Sequence, residues 1–484
     1  MKLSELKVLS DDELALIDRT SRDILSEVGI SIKSREILSL LEDRGVRVDH
    51  DRSVATFGPD LVQKAVGLAP HEVQVYNRDR SHSVRIGEGH PARFASGHNA
   101  IFTWHGAAVP RTSATKKEVG EFAKLANYLD QIDVVSPEAM PQDVPAQSSL
   151  LHGVEAVISN TVKPILFSPE NDRELAAILE MLKVVSDGER VSERPIAICQ
   201  YSPSSPLFWS EGAVKGFVKV VKEGLPCTIL PGPLAGATSP YSLAANLIQK
   251  NCEVLSGVVI AQLIHPGAPL LCYNGGGQFD MRSMTALLGT PEVTLILIAG
   301  SQLAHYYGLP THACIPDSDS HELDEQLGME NMLHVLAGTL GGSDLMVNAG
   351  MFATGETAAL QQLVLDNDLI KVARRMAQGM SVDLEHVCLD SFRRVGPMGN
   401  YLEDESTLKF LRSEEWSISQ IFTREKYENW KEKGAKSVVQ KAADQVQVLM
   451  RRDDVPLEPD KRREIEAIIR SFEQNPRRDV AGAR

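Results

Sequence analysis

Short apolar runs recur through the middle of the chain, and each run ends in small or polar residues. The first four start at equal intervals of 31 residues, and the seven together start at Asp133, Pro164, Pro195, Pro226, Pro269, Pro310 and Leu345. Amphipathic stretches of helical period separate the runs, for example those that begin at Arg173 and Ala213. The pattern predicts a strand, a polar loop and a helix, repeated seven times.

An eighth strand is predicted at Ala92, where the sequence reads ARFASGHNAIF. Eight strands that alternate with helices favour an α/β fold, a (β/α)8 TIM barrel, although a doubly wound open sheet has the same alternation. In both folds, ligands bind at the carboxyl ends of the strands. The residues expected at those ends are Ser96, Gly97, His98, Asn99, Glu138, Met140, Gln200, Tyr201, Pro231, Gly232, Tyr273, Asn274, Gly275, His312, Cys314, Asp317, Asp319, Asn348, Met351 and Phe352.

Extensions flank the repeat on both sides. We predict three parts: an N-terminal helical and hairpin extension at residues 1–90, the barrel as catalytic domain at 91–400, and a C-terminal helical tail at 401–484. Pro456 and Pro459 separate two helices of the tail, because proline interrupts a helix. We expect the tail to pack on the barrel or on a neighbouring subunit, as in a homo-oligomer. Residues 475–484 are expected to be loose.

The N-terminal extension carries clear local signals. Ser10 and the three acids after it predict a helix, and a second short helix is predicted at residues 34–42. Alternating residues around a polar turn at 49–52 predict a hairpin, and two more short strands are expected to start at Glu72 and His82.

Composition limits the class of protein. The 484 residues are 43% hydrophobic and 24% charged, which is typical of a folded globular protein. Fifty Lys and Arg against 65 Asp and Glu give a net charge of -15, which disfavours nucleic acid and anionic membranes and favours cationic small molecules. Neither a signal peptide nor a membrane span is predicted. Six single cysteines without a CxxC pair are expected to be reduced, as in a cytoplasmic protein.

No motif for a nucleotide, a metal or a serine nucleophile is complete. The glycine-rich stretches at Asn274 and Ala337 match neither GxGxxG nor GxxxxGK[ST], so no nucleotide cofactor is expected. The segment from His312 to Asp324 is dense in metal-ligating residue types but lacks HExxH and paired CxxC spacing, so no metal site is predicted. Its DSHELD sequence has aspartate where the corrinoid-binding pattern DxHxxG has glycine. Any corrinoid would therefore have to be carried by another protein.

Four longer segments resemble one known family. They are GPLAGATSPYSLAANLIQKNCEVLSGVVIAQLIHPGAPLLC from Gly232, QFDMRSMTALLGTPEVTLI from Gln278, QLAHYYGLP from Gln302 and FTREKYENWKEKG from Phe422. Together they resemble the trimethylamine methyltransferase family, and the likeness extends over most of the chain. The resemblance implies a (β/α)8 barrel that moves a methyl group from a methylated amine to the Co(I) of a separate corrinoid protein.

The resemblance also narrows the substrate. Members of the family that act on trimethylamine carry an in-frame pyrrolysine, whereas this chain is continuous in the standard twenty residues. It is therefore similar to the non-pyrrolysine branch, whose activities include demethylation of glycine betaine. We predict a quaternary amine methyltransferase, with glycine betaine as substrate and a cognate protein that carries the cobalamin. Open alternatives are carnitine, proline betaine, choline or a sulfonium as substrate, and a barrel that binds ligands without catalysis.

Candidate site residues are chosen by barrel position. Aromatic rings hold a quaternary ammonium by cation–π attraction, about 1–2 kcal/mol for each well-placed ring, and the predicted cage is Tyr201, Tyr273 and Phe352. Simple packing of each ring is the alternative. The carboxylate of a betaine needs hydrogen-bond donors, for which the candidates are His98, Asn99, Gln200, Asn274, His312 and Asn348.

Overall fold

Eight parallel strands close into a barrel in the computed structural model of the protein, which describes residues 6–106, 108–109, 111–273, 275–413, 415–416, 419–455 and 457–475. The barrel strands, numbered 1 to 8, are Arg93–Ser96, residues 134–135, Ile165–Phe167, Ala197–Tyr201, Cys227–Ile229, Leu270–Cys272, His312–Cys314 and Leu345–Ala349. Neighbouring strands are parallel, and strand 8 pairs with strand 1, where Val347 lies opposite Ala95. The predicted (β/α)8 barrel is confirmed, and the open sheet is excluded because the ring closes.

One helix follows each barrel strand, and these eight helices, α4 to α11, form the outer ring. The helices of the described residues are α1 (Asp11–Glu27), α2 (Arg35–Glu42), α3 (Pro59–Leu68), α4 (Lys116–Tyr128), α5 (Ser149–Asn160), α6 (Asp172–Val185), α7 (Glu211–Glu223), α8 (Leu243–Ile264), α9 (Pro291–Tyr306), α10 (Glu325–Leu340), α11 (Leu360–Gln378), α12 (Leu389–Val395), α13 (Glu405–Leu411), α14 (Tyr427–Glu432), α15 (Val438–Met450) and α16 (Pro459–Gln474).

Short strands outside the barrel form four small sheets. One sheet joins Phe208–Trp209 to the N-terminal strands Ile30–Ile32, Val54–Thr56 and Arg47–Asp49. A hairpin consists of Glu72–Tyr76 and Ser83–Gly87. Two sheets follow the carboxyl ends of barrel strands and so border the mouth: Leu234–Ala235 with Gly277–Asp280 and Thr285–Leu287, and Met351–Phe352 with Thr357–Ala358, Phe102–Thr103 and Thr112–Ser113. A single 3-10 turn, Ala146–Ser148, precedes α5.

The N-terminal helices and strands form where the sequence predicts them. Ser10 and Glu13 make a capping box, in which the Glu13 carboxylate accepts from the Ser10 N–H at 2.8 Å. Helix α1 begins at Asp11, immediately after Ser10. The hairpin around residues 49–52 and the two strands near Glu72 and His82 are also confirmed. Helix α3 was not predicted, although Pro59 stands at its first turn.

The hairpin of residues 72–87 closes the amino end of the barrel, which we call the base. The Tyr76 N–H donates to the carbonyl of Pro195, immediately before strand 4, at 2.8 Å. Apolar side chains of the hairpin and of the barrel interior form one cluster, made of Val73, Val75, Val84, Ile86, Ala95, Val134, Leu166, Ile198, Leu271, Leu345 and Val347. Side chains therefore fill the base, and the opposite end, the mouth, is where a ligand fits.

Helix α8 is long and apolar enough to cross a membrane by length and composition, but 83% of its most apolar window is buried inside the protein. It packs against α1, α3, α7 and α9. In the C-terminal part, α15 lies on α11 and α4, and α16 lies on α6 and α5. Pro456 and residues 476–484, which include most of the end predicted to be loose, lie outside the described residues.

Candidate functional site

The upper half of the barrel interior is polar. Strands 5 and 7 each point a polar side chain inward, and Thr228 Oγ1 lies 2.9 Å from His312 Nδ1. Burial, together with the nearby His98 just beyond strand 1, lowers the pKa of His312 to about 3. Burial also lowers the pKa of His98 to about 4. Both imidazoles are therefore neutral at physiological pH.

Cys314, the next inward residue of strand 7, keeps its proton. Its Sγ lies 4.0 Å from His312 Nε2. Burial and the negative charge of Asp317 raise the pKa of this thiol to about 12, although Lys250 acts in the opposite direction. A thiol with such a pKa is a poor nucleophile. One acidic and one basic side chain, Asp317 and Lys250, therefore act on the pKa of this thiol.

Asp317 supplies the negative charge, just beyond the end of strand 7. Its Oδ1 accepts hydrogen bonds from the N–H groups of Ser318 at 2.8 Å and Gly355 at 3.1 Å. A bulge in strand 8 gives Asn348 a φ of 133° and brings its Nδ2 to 3.5 Å from Asp317 Oδ2. Burial raises the pKa of Asp317 to about 7. A bound cation would favour the ionised carboxylate.

Lys250 supplies the positive charge, from helix α8. Gly257 on this helix faces strand 5, because a Cβ there would lie 2.9 Å from Ile229 Cδ1. Lys250 lies seven residues earlier and therefore on the same face, two turns nearer the mouth. It is 1% exposed, and no described residue accepts a hydrogen bond from its Nζ. Burial lowers its pKa to about 7, while Glu253 raises it.

Glu253 does not pair with Lys250 directly. Its carboxylate accepts from Ser205 Oγ at 2.8 Å, from the Leu207 N–H at 2.9 Å and from Gln249 Nε2 at 3.1 Å. These bonds fix Glu253 to the loop that follows strand 4. Among the described residues, Glu253 is therefore bonded to partners other than the Lys250 ammonium.

Two further acidic side chains, Glu138 and Asp366, lie beside Gly350, just beyond the end of strand 8. Glu138 is fully buried, and neither carboxylate oxygen has a hydrogen-bond partner among the described residues. Burial raises its pKa well above the ordinary value, and Asp366 raises it further. Asp366 itself accepts from Asn331 Nδ2 at 2.9 Å and from the Gly350 N–H at 2.8 Å. Within the described part of the chain, no group of three or more His, Cys, Asp or Glu residues is arranged to hold a metal ion.

The structure brings four of the predicted donors to the mouth, namely His98, Gln200, His312 and Asn348. Gln200 follows the inward Ile198 by two residues and is half buried, and its Oε1 has no partner among the described residues. Asn99 is separate: it lines a rim cavity of about 580 Å³ together with Phe472 of α16. Asn274 lies outside the described residues.

Comparison with known proteins now settles the family. The sequence model of one family, described as trimethylamine methyltransferase (MTTB), matches residues 1–475. The chain belongs to the trimethylamine methyltransferase family. It is therefore a methyltransferase, and methyl transfer from a methylated amine is the activity that this membership supports.

Individual members of the trimethylamine methyltransferase family match the chain along its length. The trimethylamine methyltransferase MttB of Desulfitobacterium hafniense (strain DSM 10664 / DCB-2) is 30% identical over 98% of this chain and 95% of that protein. A glycine betaine methyltransferase of Desulfitobacterium hafniense (strain Y51) is 26% identical over 97% of each chain. The crystal structure of the Methanosarcina barkeri monomethylamine methyltransferase (MtmB) is similar in fold, with a TM-score of 0.55, 11% identity, and coverage of 98% of this chain and 89% of that one.

The three aromatic residues predicted as a cage do not meet at the mouth of the barrel in this protein. Tyr201 points outward from strand 4 into space left by Gly216 of α7, and its hydroxyl donates to the Asn171 carbonyl at 3.3 Å. The Tyr273 hydroxyl donates to Asn251 Oδ1 on α8 at 2.5 Å. Phe352 packs in a small cluster with Trp104, Leu327, Ala353 and Ala359. All three rings are buried by packing, which was the alternative reading, so the cage arrangement is corrected.

The mouth also contains polar residues that the strand-end pattern of the sequence does not predict as donors. Thr228 lies inside a short apolar strand, and Lys250 and Glu253 interrupt the apolar helix α8. Charged side chains within an otherwise apolar helix are a usable signal, since burying them costs free energy unless they have a role. Cys314, Asp317 and Glu138 were placed at strand ends by the repeat but were not given a role.

Proposed function

We propose that the protein moves a methyl group from a zwitterionic quaternary amine, glycine betaine in the first place, to the Co(I) of a corrinoid carried by a separate protein. One observation carries this proposal: a buried carboxylate, Asp317, and a buried lysine, Lys250, both lie at the mouth of the barrel. A substrate that bears both an ammonium and a carboxylate matches both charges.

The buried lysine argues against a simple cation as substrate. Trimethylammonium or choline has only positive charge near its methyl groups, and Lys250 would repel it in a site of low dielectric. The carboxylate of a betaine converts that repulsion into a charge-assisted hydrogen bond. Gln200, whose Oε1 has no partner among the described residues, has an amide that adds a donor at the end of strand 4.

Demethylation of a quaternary amine needs no general acid or general base. When a methyl group leaves a quaternary nitrogen, the C–N bond breaks and its electron pair stays on nitrogen, so a neutral tertiary amine departs without protonation. The corrinoid, when its carrier protein binds, supplies Co(I) as the methyl acceptor. Neutral His98 and His312 and the protonated Cys314 fit a site that positions the substrate without competing as nucleophiles.

The rim of the mouth offers a surface for the carrier protein. Between the strands Gly277–Asp280 and Thr285–Leu287, the turn exposes Met281 and Met284 to solvent. Tyr241 is also exposed and its hydroxyl accepts from Gln278 Nε2 at 3.2 Å. Exposed methionine and tyrosine on a loop beside a site are typical of a protein contact. The glycine betaine methyltransferase among the relatives supports the same substrate class.

The proposal is tested with purified protein, cob(I)alamin and a substrate panel, by following loss of the Co(I) absorbance. We expect turnover with glycine betaine, or with the zwitterions carnitine and proline betaine, and none with trimethylamine or choline. Lys250→Met should lower kcat/KM for the betaine about 10- to 100-fold, the value of a hydrogen bond to a charged group. Lys222→Met on α7, an exposed lysine, is the matched control and should change nothing.

Two results would contradict the proposal. Turnover of choline or trimethylamine in preference to every zwitterion would remove the role of the carboxylate. Calorimetry could show that substrates bind although no member of the panel causes a loss of Co(I). This result would contradict the transfer of a methyl group to Co(I).

A further inference from the structure

A segment after α11 presents an apolar surface that no described residue covers. Residues 380–413, which we call the arm, leave α11 at the base of the barrel, where Arg374 of α11 donates to the Ala92 carbonyl at 2.9 Å. The two arm helices, α12 and α13, are joined through Asp404, whose carboxylate accepts from Ser391 Oγ at 2.6 Å. The arm is thus held in shape by its own hydrogen bonds.

The arm buries hardly any of its own apolar surface. Ser391 is the one buried residue of α12, and α13 has none. Leu384 is 94% exposed and Leu402 80% exposed, and the large apolar side chains more than half exposed include Val382, Leu384, Phe392, Met398, Leu402 and Leu411. At roughly 100 Å² of apolar area for each of these side chains when fully exposed, these six expose roughly 450 Å², more than half of the ~800 Å² that one partner contributes to a standard interface.

A second apolar surface, which the described residues leave exposed, lies on the outer side of α9 and α10. No Asp, Glu, Lys or Arg occurs from residue 331 to residue 340, and Met329 is 71% exposed. We call this surface the α9–α10 face and define it by Leu295, Met329, Met332, Leu333 and Leu336. Outer helices of a barrel carry charged residues towards water, as α7 does with Lys215 and Lys222, so an apolar outer side indicates a partner.

We propose that the arm of one copy of the chain covers the α9–α10 face of a second copy, in a dimer of two-fold symmetry. Helix α11 lies beside α10 in the ring, so the arm starts next to the face. A two-fold axis near these helices brings each arm onto the face of the other copy and covers both apolar surfaces at once. A carrier of corrinoid is a poorer occupant, because it must reach the mouth, whereas the arm leaves the base.

The test uses the full chain and its mass in solution. Light scattering after size-exclusion chromatography should give twice the chain mass for the unmodified protein. The arm variant Leu384→Asp/Leu402→Asp and the face variant Met329→Asp/Leu333→Asp should each fall to the mass of one chain, with unchanged circular dichroism. Leu16→Asp on α1, where the leucine is 51% exposed, is the control and should remain a dimer.

Mixing the two variants separates docking from simple destabilisation. The intact arm of the face variant can dock on the intact face of the arm variant, so one of the two contacts is restored. The mixture should therefore form dimers that neither variant forms alone. A single-chain mass for the unmodified protein, a dimer in either double variant, or no recovery on mixing would each overturn the proposal.

Discussion

The two ends of the barrel interior are built from opposite kinds of side chain. At the base, the hairpin residues Val75 and Ile86 pack into an apolar cluster with inward side chains of the strands. At the mouth, the same strands carry Thr228 and His312, and a helix contributes the buried Lys250. The apolar end is filled, whereas at the polar end Gln200 Oε1 has no hydrogen-bond partner among the described residues.

The difference shows where stability and function reside in this barrel. Burying apolar side chains stabilises the base by about 25 cal/mol for each Å² removed from water. Burying Lys250 destabilises the folded protein. The pKa of Lys250 in the folded protein is about 7, whereas the ordinary pKa of lysine is about 10.4. Between those two pH values the unfolded chain binds more protons at this lysine than the folded protein does. The buried lysine therefore lowers the free energy of unfolding at neutral pH, and this destabilisation diminishes as the pH rises.

The largest effect is expected at the base. Ile86→Ala removes a fully buried side chain and should lower the free energy of unfolding by about 2–5 kcal/mol, since the site cannot collapse fully. Molecules that remain folded should keep their kcat/KM, because the base is remote from the mouth. Urea unfolding and steady-state kinetics on the same preparation measure the two quantities.

The matched control for Ile86→Ala is Leu68→Ala on α3. Leu68 is 40% exposed, so its truncation should cost about 1 kcal/mol or less. If Ile86→Ala instead lowered kcat/KM and left the urea midpoint unchanged, the division between a structural base and a functional mouth would fail.

The next effect is expected at the mouth, in the pH dependence of kcat/KM. Burial raises the pKa of Asp317 to about 7, so its negative charge is lost below that pH, and it lowers the pKa of Lys250 to about 7, so its positive charge is lost above. For a zwitterionic substrate the profile should be bell-shaped around pH 7, falling about tenfold per pH unit on each side. The pKa values of His98 and His312 lie too low to contribute.

Single replacements assign the two limbs of the profile. Asp317→Asn should remove the acid limb, and Lys250→Met should remove the alkaline limb, each with a lower maximum. An alkaline limb that persists in Lys250→Met would show that another group titrates there.

The barrel could be predicted because its period is a local property of the sequence. The direction of a side chain at a strand end could not, and Gln200 and Tyr201 illustrate the reason. Strand 4 is buried on both sides, so Ile198 and Cys199 are both apolar although one faces the barrel interior and the other the helices. Because polar and apolar residues do not alternate along this strand, the sequence does not indicate which of the two alternating sets of side chains faces the barrel interior. The polar Gln200 marks the inward side only once the register is known.

Lys250 escaped prediction for a different reason. Its position depends on Gly257 meeting Ile229, a contact between a helix and the strand that precedes it. Sequence shows that the lysine interrupts an apolar helix, but the packing of α8 on strand 5 decides that it points to the mouth. Asp317 was easier to place, because it lies only three residues after the end of strand 7.

The smallest effect is expected from the tyrosines that pack between barrel and helices. Tyr273→Phe leaves Asn251 Oδ1 without its 2.5 Å donor, which should cost about 1–3 kcal/mol. Tyr201→Phe removes a weaker bond of 3.3 Å to the Asn171 carbonyl and should cost no more than about 1 kcal/mol. Neither change should alter the KM of the methylated amine, because both rings lie outside the mouth. A tenfold rise in KM with unchanged stability, in either variant, would show that this tyrosine contacts the substrate.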